Sequence, residues 1–469
     1  MILNAKLLSV ALAVSLLESL SVSAAELSPY QRRGREIFRE LIETDTTHST
    51  GDTTRAAEAL AQRFRAAGFP ETDIRVIGPN PRNQNLVVRY RGTGARPPVV
   101  LLAHLDVVEA RREDWSLAPF KLTEQDGYFY GRGTSDNKDG AAELSAALLR
   151  LRQEGFAPDR DLILALTAGE EGAPDYNGVQ WLLQTHRELI NGDICLNVDA
   201  GGLQKRRGQQ LLFTVQTAEK IYLSFRLEAT SPGGHSSLPT RGNPIYRLAE
   251  GLVRLSRHEF PVRLNATTRE YLAKMSEIET GQTAADLKAI LRAPPDSDAL
   301  VRLSTNPVYN ATLRTTAVAT MIGGGHAENA LPQRVRATVN CRLLPEESPE
   351  DVLTTLRRVL ADDQIAVTPI KPVRPSPPSP LAPDLMQAIE RAKEKVWPGV
   401  PLAPQMESGA TDGLFFRQQG IPTYGVGGTA GDLDDIRVHG KDERVAVQDF
   451  YDGLEFEYQL IRVVAGGAR

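Results

Sequence analysis

From Ser28 to about Gly68 apolar residues recur at helical spacing, with Ala56, Leu60 and Phe64 on one face and a Gly-Phe-Pro break at 68–70. Three short β-rich runs follow: NLVVRY at 85–90, VVLLA at 99–103 and LILAL at 162–166. Between the last two lies a helical stretch whose apolar face carries Ala141, Leu144, Leu148 and Leu151. A strand wetted on one side alternates polar and apolar residues, whereas these runs are nearly continuous. They predict a sheet covered by helices on both faces, α/β in class, mixed and largely parallel.

After Gly202 the period changes. YLSFRLEAT alternates, the Gly-rich loop SPGGHSS follows, and IYRLAEGLVRL reads as a helix. TTAVATMIGG and RVRATVNCRLL alternate again, before a helical SPEDVLTTLRRVL. Strand, helix, strand, strand, helix, strand is the skeleton of a ferredoxin-like α+β sandwich. The proline-rich IKPVRPSPPSPLAP then reads as a stiff connector back to further helix and strand. The expected organisation is a catalytic domain in two parts, 26–216 and 376–469, interrupted by a lid or dimerisation domain at 217–375. Segment 260–310 has polar helical pieces and no clear place; it is expected to elaborate the inserted domain.

Composition narrows the partners. The chain has 469 residues, a net charge of -5, 41 % hydrophobic and 24 % charged residues, so no basic excess points to nucleic acid. Its two cysteines, Cys195 and Cys341, are too few for an all-thiolate zinc site and are expected to be buried structural residues. Residues 1–25 read as a signal peptide: Lys6 precedes the apolar LLSVALAVSLL and the small residues of SVSAA. A secreted or periplasmic protein is expected, with no membrane attachment after cleavage.

Metal-type side chains fall where the elements end. His104 closes VVLLAHLD, Glu170 and Glu171 follow the run ending at Leu166, Asp199 ends ICLNVDAGG, Asp136 lies in a loop opening a helix, and His439 lies in RVHGKD. Open α/β sheets build their sites at strand ends. Imidazole and carboxylate donors suit zinc, with cobalt or manganese as substitutes, and two metals need a shared ligand. Asp136 is the candidate bridge, with Thr134 and Ser135 available to cap the helix behind it. Of the glutamate pair, one can coordinate while the other takes a proton from metal-activated water. Asp106, on the same side of the extended segment as His104, is expected to accept the imidazole's second N–H. His48, His186, His258 and His326 carry no assignable role. GVGGTA at 425–430 lacks room for the βαβ unit a dinucleotide loop requires.

Eight stretches taken together, LLAHLDVV, FYGRGTSDNKDG, LTAGEEGA, LNVDAGG, SPGGHSS, AENALPQRVRATVNCRLLP, ESGATDG and RVHGKDE, resemble the M20 family of metallopeptidases. The resemblance implies a zinc-exopeptidase-like fold with two Zn2+ ions. His104 and Asp199 would hold one, Glu171 and His439 the other, with Asp136 bridging. It makes Glu170 the general base, Asp106 the residue orienting His104, and His235 a lid histidine that stabilises the oxyanion. In several members that histidine comes from the partner subunit, and a homodimer through the inserted domain is expected. Asn329 and Arg342 resemble lid residues that bind substrate, Arg342 gripping a terminal carboxylate. Gly409 in ESGATDG can let substrate approach closely. Asp139 stands where many relatives have glycine; it either alters the metal loop or points into solvent. The expected activity is exopeptidase cleavage of a peptide, as a carboxypeptidase or dipeptidase, with deacylation of N-acyl amino acids as the alternative.

Overall fold

A computed structural model describes residues 26–172 and 176–466. The expected signal peptide lies outside the described residues. The main sheet runs, in spatial order, through Ile74–Ile77, Asn85–Tyr90, Leu162–Thr167, Val99–His104, Ile194–Asn197, Thr423–Gly425, Gln209–Glu219, Gly202–Arg206 and Gly431–Asp432. Strand Leu402–Glu407 also joins it, parallel to Gln209–Glu219. The four strands from Leu162–Thr167 to Thr423–Gly425 are mutually parallel, and antiparallel pairs occur on both sides of them. Mixed and centrally parallel is therefore the observed arrangement.

Every residue of Val99–His104 and Leu162–Thr167 is buried, which explains their unbroken apolar sequence. Leu101, Ala103, Leu162, Leu164 and Leu166 pack on one face, with helices Pro29–Glu43, Lys138–Gln153 and Val447–Ala465. Val100, Leu102, Ile163 and Ala165 pack on the other, with Val179, Leu182, Phe415 and Phe416. Full burial of each large side chain is worth about 1.5–3 kcal/mol, so a one-residue slip is strongly disfavoured. That fixed register is what holds the strand ends in place.

A second, four-stranded antiparallel sheet has the order Thr316–Gly324, Arg334–Leu343, Ile221–Thr230, Ile365–Pro369. Helices Pro244–Ser256 and Pro349–Leu360 cover one face through Leu248, Leu255, Val352 and Leu356. The βαββαβ order matches the alternation in the sequence. Where the chain passes between the two sheets, Glu219 accepts hydrogen bonds from Ser376 Oγ at 2.8 Å and Thr411 Oγ1 at 3.1 Å, and pairs with Arg417 at 2.7 Å. The outgoing and returning segments are thus tied at one buried carboxylate.

The segment expected to elaborate the inserted sandwich does something else. Helices Ala266–Ile278, Gly281–Ile290, Ser297–Ser304 and Pro307–Leu313 share a core with Leu212 and Ala403, which belong to main-sheet strands. Tyr271, Leu272 and Met275 supply the contact face. These helices lie next to the second sheet in sequence, but their apolar face seats on the first.

Candidate active site

His104 ends its strand with its side chain buried, and Asp199 follows the end of the neighbouring parallel strand. His104 Nε2 lies 3.0 Å from Asp136 Oδ1 and 3.5 Å from Asp199 Oδ1. His439 Nε2 lies 3.0 Å from Asp136 Oδ2 and 2.8 Å from Glu171 Oε1. Asp136 therefore turns one oxygen to each imidazole, the disposition a bridging carboxylate needs. Donor atoms of His104, Asp136 and Asp199 all lie within 4.8 Å of one another, as do those of Asp136, Glu171 and His439. A third such group joins His104 to Glu170 and Glu171. The glutamate doublet thus divides: Glu171 bonds His439, whereas Glu170 faces the centre without that bond.

Asp106 has a different task from the one its position implied. His104 Nδ1 meets the backbone carbonyl of Asp106 at 2.9 Å, while the Asp106 carboxylate stays 3.9 Å away. That carboxylate accepts from the backbone N–H groups of Gly169 at 2.8 Å, Glu170 at 3.3 Å and Glu171 at 3.0 Å. It fixes the turn that presents the glutamates, and the carbonyl fixes the imidazole. Thr134 and Ser135 do not cap the helix behind Asp136 either. Thr134 Oγ1 donates to Gly131 O at 2.8 Å, Ser135 Oγ bonds Glu443, and the N-cap residue Asn137 makes no side-chain cap.

The electrostatics call for cations. Four carboxylates, on Asp136, Glu170, Glu171 and Asp199, surround two imidazoles, and among the described residues no lysine or arginine pairs with them. Burial, then the Asp199 charge, raises Glu170 well above the usual carboxylate range. Burial likewise raises Glu171 and pushes Asp199 up to about 7. With protons as the only counter-charge, hydrogen bonds to Asp136 and Glu171 push His439 up to about 10. A divalent cation would displace those imidazole protons and neutralise the same carboxylates, so the donor set fits two such ions.

His235 and Asn329 are not part of this cluster. Both are exposed on a short hairpin, Gly234–His235 against Ala330–Leu331, where His235 Nδ1 bonds Ser237 Oγ at 2.8 Å. Arg342, on strand Arg334–Leu343 of the second sheet, holds its guanidinium 4.6 Å from the Tyr222 ring centroid and its Nη1 3.4 Å from Ser408 O. Gly409 follows in that turn, and a Cβ there would meet only Glu407 Cγ at 3.8 Å, so packing does not require glycine. Asp412, in the same motif, bonds Asn177 and Thr167, and its charge bears on Glu170. Sequence reasoning passed over Asp412; its place in ESGATDG was the available signal. His326 is exposed in its loop, and both cysteines are buried and free.

Asp139 does not point into solvent. It is buried and pushed up to about 7 by that burial, on a helix whose Glu143 packs against Gly428 and Gly453. Burial also raises Glu143 and Glu457 well above the usual range, and Glu457 Oε1 has no hydrogen-bond partner among the described residues. Acids whose folded pKa is raised contribute stability that is complete below their unfolded pKa, about 4.3 for Glu, and lost as pH rises through the folded value. Glu457→Gln should therefore gain melting temperature relative to wild type as pH climbs from 5 to 9. A Tm difference constant over that range contradicts the buried-acid assignment.

Residues 100–463 match the family model described as Peptidase family M20/M25/M40. The chain is 28% identical over 376 residues to the human N-fatty-acyl-amino acid synthase/hydrolase PM20D1, covering 78% of this chain and 74% of that protein. It is 26% identical over 394 residues to a probable carboxypeptidase S-like 2 of Dictyostelium discoideum, covering 81% and 74%. In fold it is similar to the M20 family metallo-carboxypeptidase Sso-CP2 from Sulfolobus solfataricus, with a TM-score of 0.68, 16% identity, and 92% and 99% of the two chains covered. The chain belongs to the M20/M25/M40 peptidase family and is a metallo-hydrolase acting on amide bonds.

Proposed function

We propose that the enzyme cleaves the amide bond between an acyl group and an amino acid whose carboxylate is free. The observation that carries this reading is Asp136 turned between two imidazole-carboxylate pockets with Glu170 unbonded beside them. His104 and Asp199 would hold one divalent cation, Glu171 and His439 the other, and Asp136 both; zinc suits these donors. When bound, the two cations supply Lewis-acid activation of water and of the scissile carbonyl. Glu170 accepts the water's proton and returns it to the leaving nitrogen, a transfer that its place beside both pockets allows. Arg342, held against Tyr222 and Ser408, takes the substrate carboxylate.

N-acyl amino acids are the first substrate class on this reading. The likeness to the human N-fatty-acyl-amino acid synthase/hydrolase supports it, and so do the exposed apolar side chains of Leu433, Ile436 and Val438, in the loop that leads to His439. The likeness to a probable carboxypeptidase S-like protein keeps a peptide substrate as the second reading. A panel of N-acyl amino acids and dipeptides, each with free and amidated carboxyl ends, tests both. With the free-acid substrates, Arg342→Met should lower kcat/KM by about 10- to 150-fold, the value of a charged hydrogen bond. Amidated substrates should be nearly indifferent to the change; equal losses on both would remove Arg342 from this role.

The second sheet also offers a pairing edge. Among the described residues, strand Thr316–Gly324 is bonded on one side only, and it exposes Val318, Met321 and Ile322. On our reading two copies join there, and His235 with Asn329 serves the partner's site. Light scattering at micromolar concentration should give twice the mass of one chain, which is 51.3 kDa with residues 1–25 retained. A monomer mass contradicts the pairing.

A further inference from the structure

The loops carrying Asp136 and His439 come from distant parts of the chain, and what fastens them together is an ion pair outside the donor set. Arg132 lies four residues before Asp136, and Glu443 lies four after His439. Their side chains are 3% and 0% exposed, with Nη1 and Oε2 2.6 Å apart. Glu443 Oε2 also accepts from Gly133 N at 3.2 Å, and Oε1 accepts from Ser135 N at 2.8 Å and Ser135 Oγ at 3.2 Å. Three residues of the Asp136 loop thus hang on one carboxylate. In the other direction, Arg132 Nη2 donates to the carbonyls of His439 at 3.3 Å and Gly440 at 3.1 Å. The guanidinium lies 5.0 Å from the Trp115 ring centroid, which limits its movement.

The two pockets are supported unequally. His104 and Asp199 sit at the ends of adjacent, fully paired strands. His439 sits in an irregular loop with φ 61, a left-handed conformation that a non-glycine residue keeps only when its surroundings impose it. Arg132 bonds the carbonyl of that same residue, and Glu443 holds Arg132. We infer that Arg132 and Glu443 are positioning residues that set the cation affinity of the Asp136–Glu171–His439 pocket, leaving the His104–Asp199 pocket largely to the sheet. The inference rests on the two-cation reading of the site. Charge-assisted, geometrically fixed bonds behind a ligand commonly change metal affinity by about 10- to 100-fold.

The test is zinc titration of the metal-free wild-type chain, Glu443→Gln and Arg132→Lys, with melting temperature followed alongside. Glu443→Gln keeps the shape but loses the charge. Arg132→Lys keeps the charge but loses the fork that meets Glu443 through Nη1 and the two carbonyls through Nη2, and it serves if the first variant does not fold. One of the two zinc sites should lose at least tenfold in affinity in either variant and the other less than threefold, with turnover recovered at excess zinc. Equal weakening of both sites, or a fall in the metal-free melting temperature with unchanged affinities, marks a merely structural pair and overturns the inference. A wild-type chain that takes up fewer than two zinc ions overturns the two-cation reading and this inference with it.

Discussion

Glu170→Gln is expected to lower turnover by about 10²- to 10⁴-fold, the usual contribution of a positioned general base, while metal content and melting temperature stay near wild type. The expectation follows from the division of the doublet. Glu171 bonds His439, and Glu170 does not, so on the proposed assignment the amide at 170 removes a base without removing a ligand. Glutamine also preserves the backbone N–H that Asp106 receives from residue 170. Because a ligand and a base are lost in different ways, the pair of variants is diagnostic. Glu171→Gln should lose metal and activity together and recover part of both at high zinc. Metal content near wild type with unchanged turnover in Glu170→Gln would end its assignment as base.

Dialysis against a chelator should abolish hydrolysis and lower the melting temperature, and added zinc, cobalt or manganese should restore both. A ligand present a thousandfold above its Kd stabilises the folded state by about 4 kcal/mol per site, since the unfolded chain cannot assemble donors this far apart in sequence. Removal also leaves four carboxylates facing one another, which the raised pKa values of Glu170, Glu171 and Asp199 already express. Turnover and Tm both unchanged in verified metal-free protein would contradict the proposal.

The parts that sequence could disclose share a physical cause. Runs such as VVLLA are continuous because both faces of the sheet are covered, and polar residues can appear only where such a strand ends, as His104, Glu170, Glu171 and Asp199 do at or just past the carboxyl ends of theirs. What stayed hidden depends on which surfaces meet in three dimensions. Helical periodicity shows that Tyr271, Leu272 and Met275 share a face, but not that the face seats on Leu212 and Ala403. Asp106 lies at the right spacing to orient His104, yet its carboxylate is drawn instead to three backbone N–H groups of the glutamate turn. Asp139 is free to reach solvent as far as the sequence tells, because its burial comes from elements that periodicity cannot dock against it, and nothing in the sequence pairs Arg132 with Glu443, 311 residues apart.

Anomalous diffraction at the zinc edge from crystals of the zinc-loaded enzyme tests the central claim most directly. Two peaks are expected, one against His104 and Asp199, one against Glu171 and His439, with Asp136 touching both. A single peak, or zinc bound elsewhere at full loading, would contradict it.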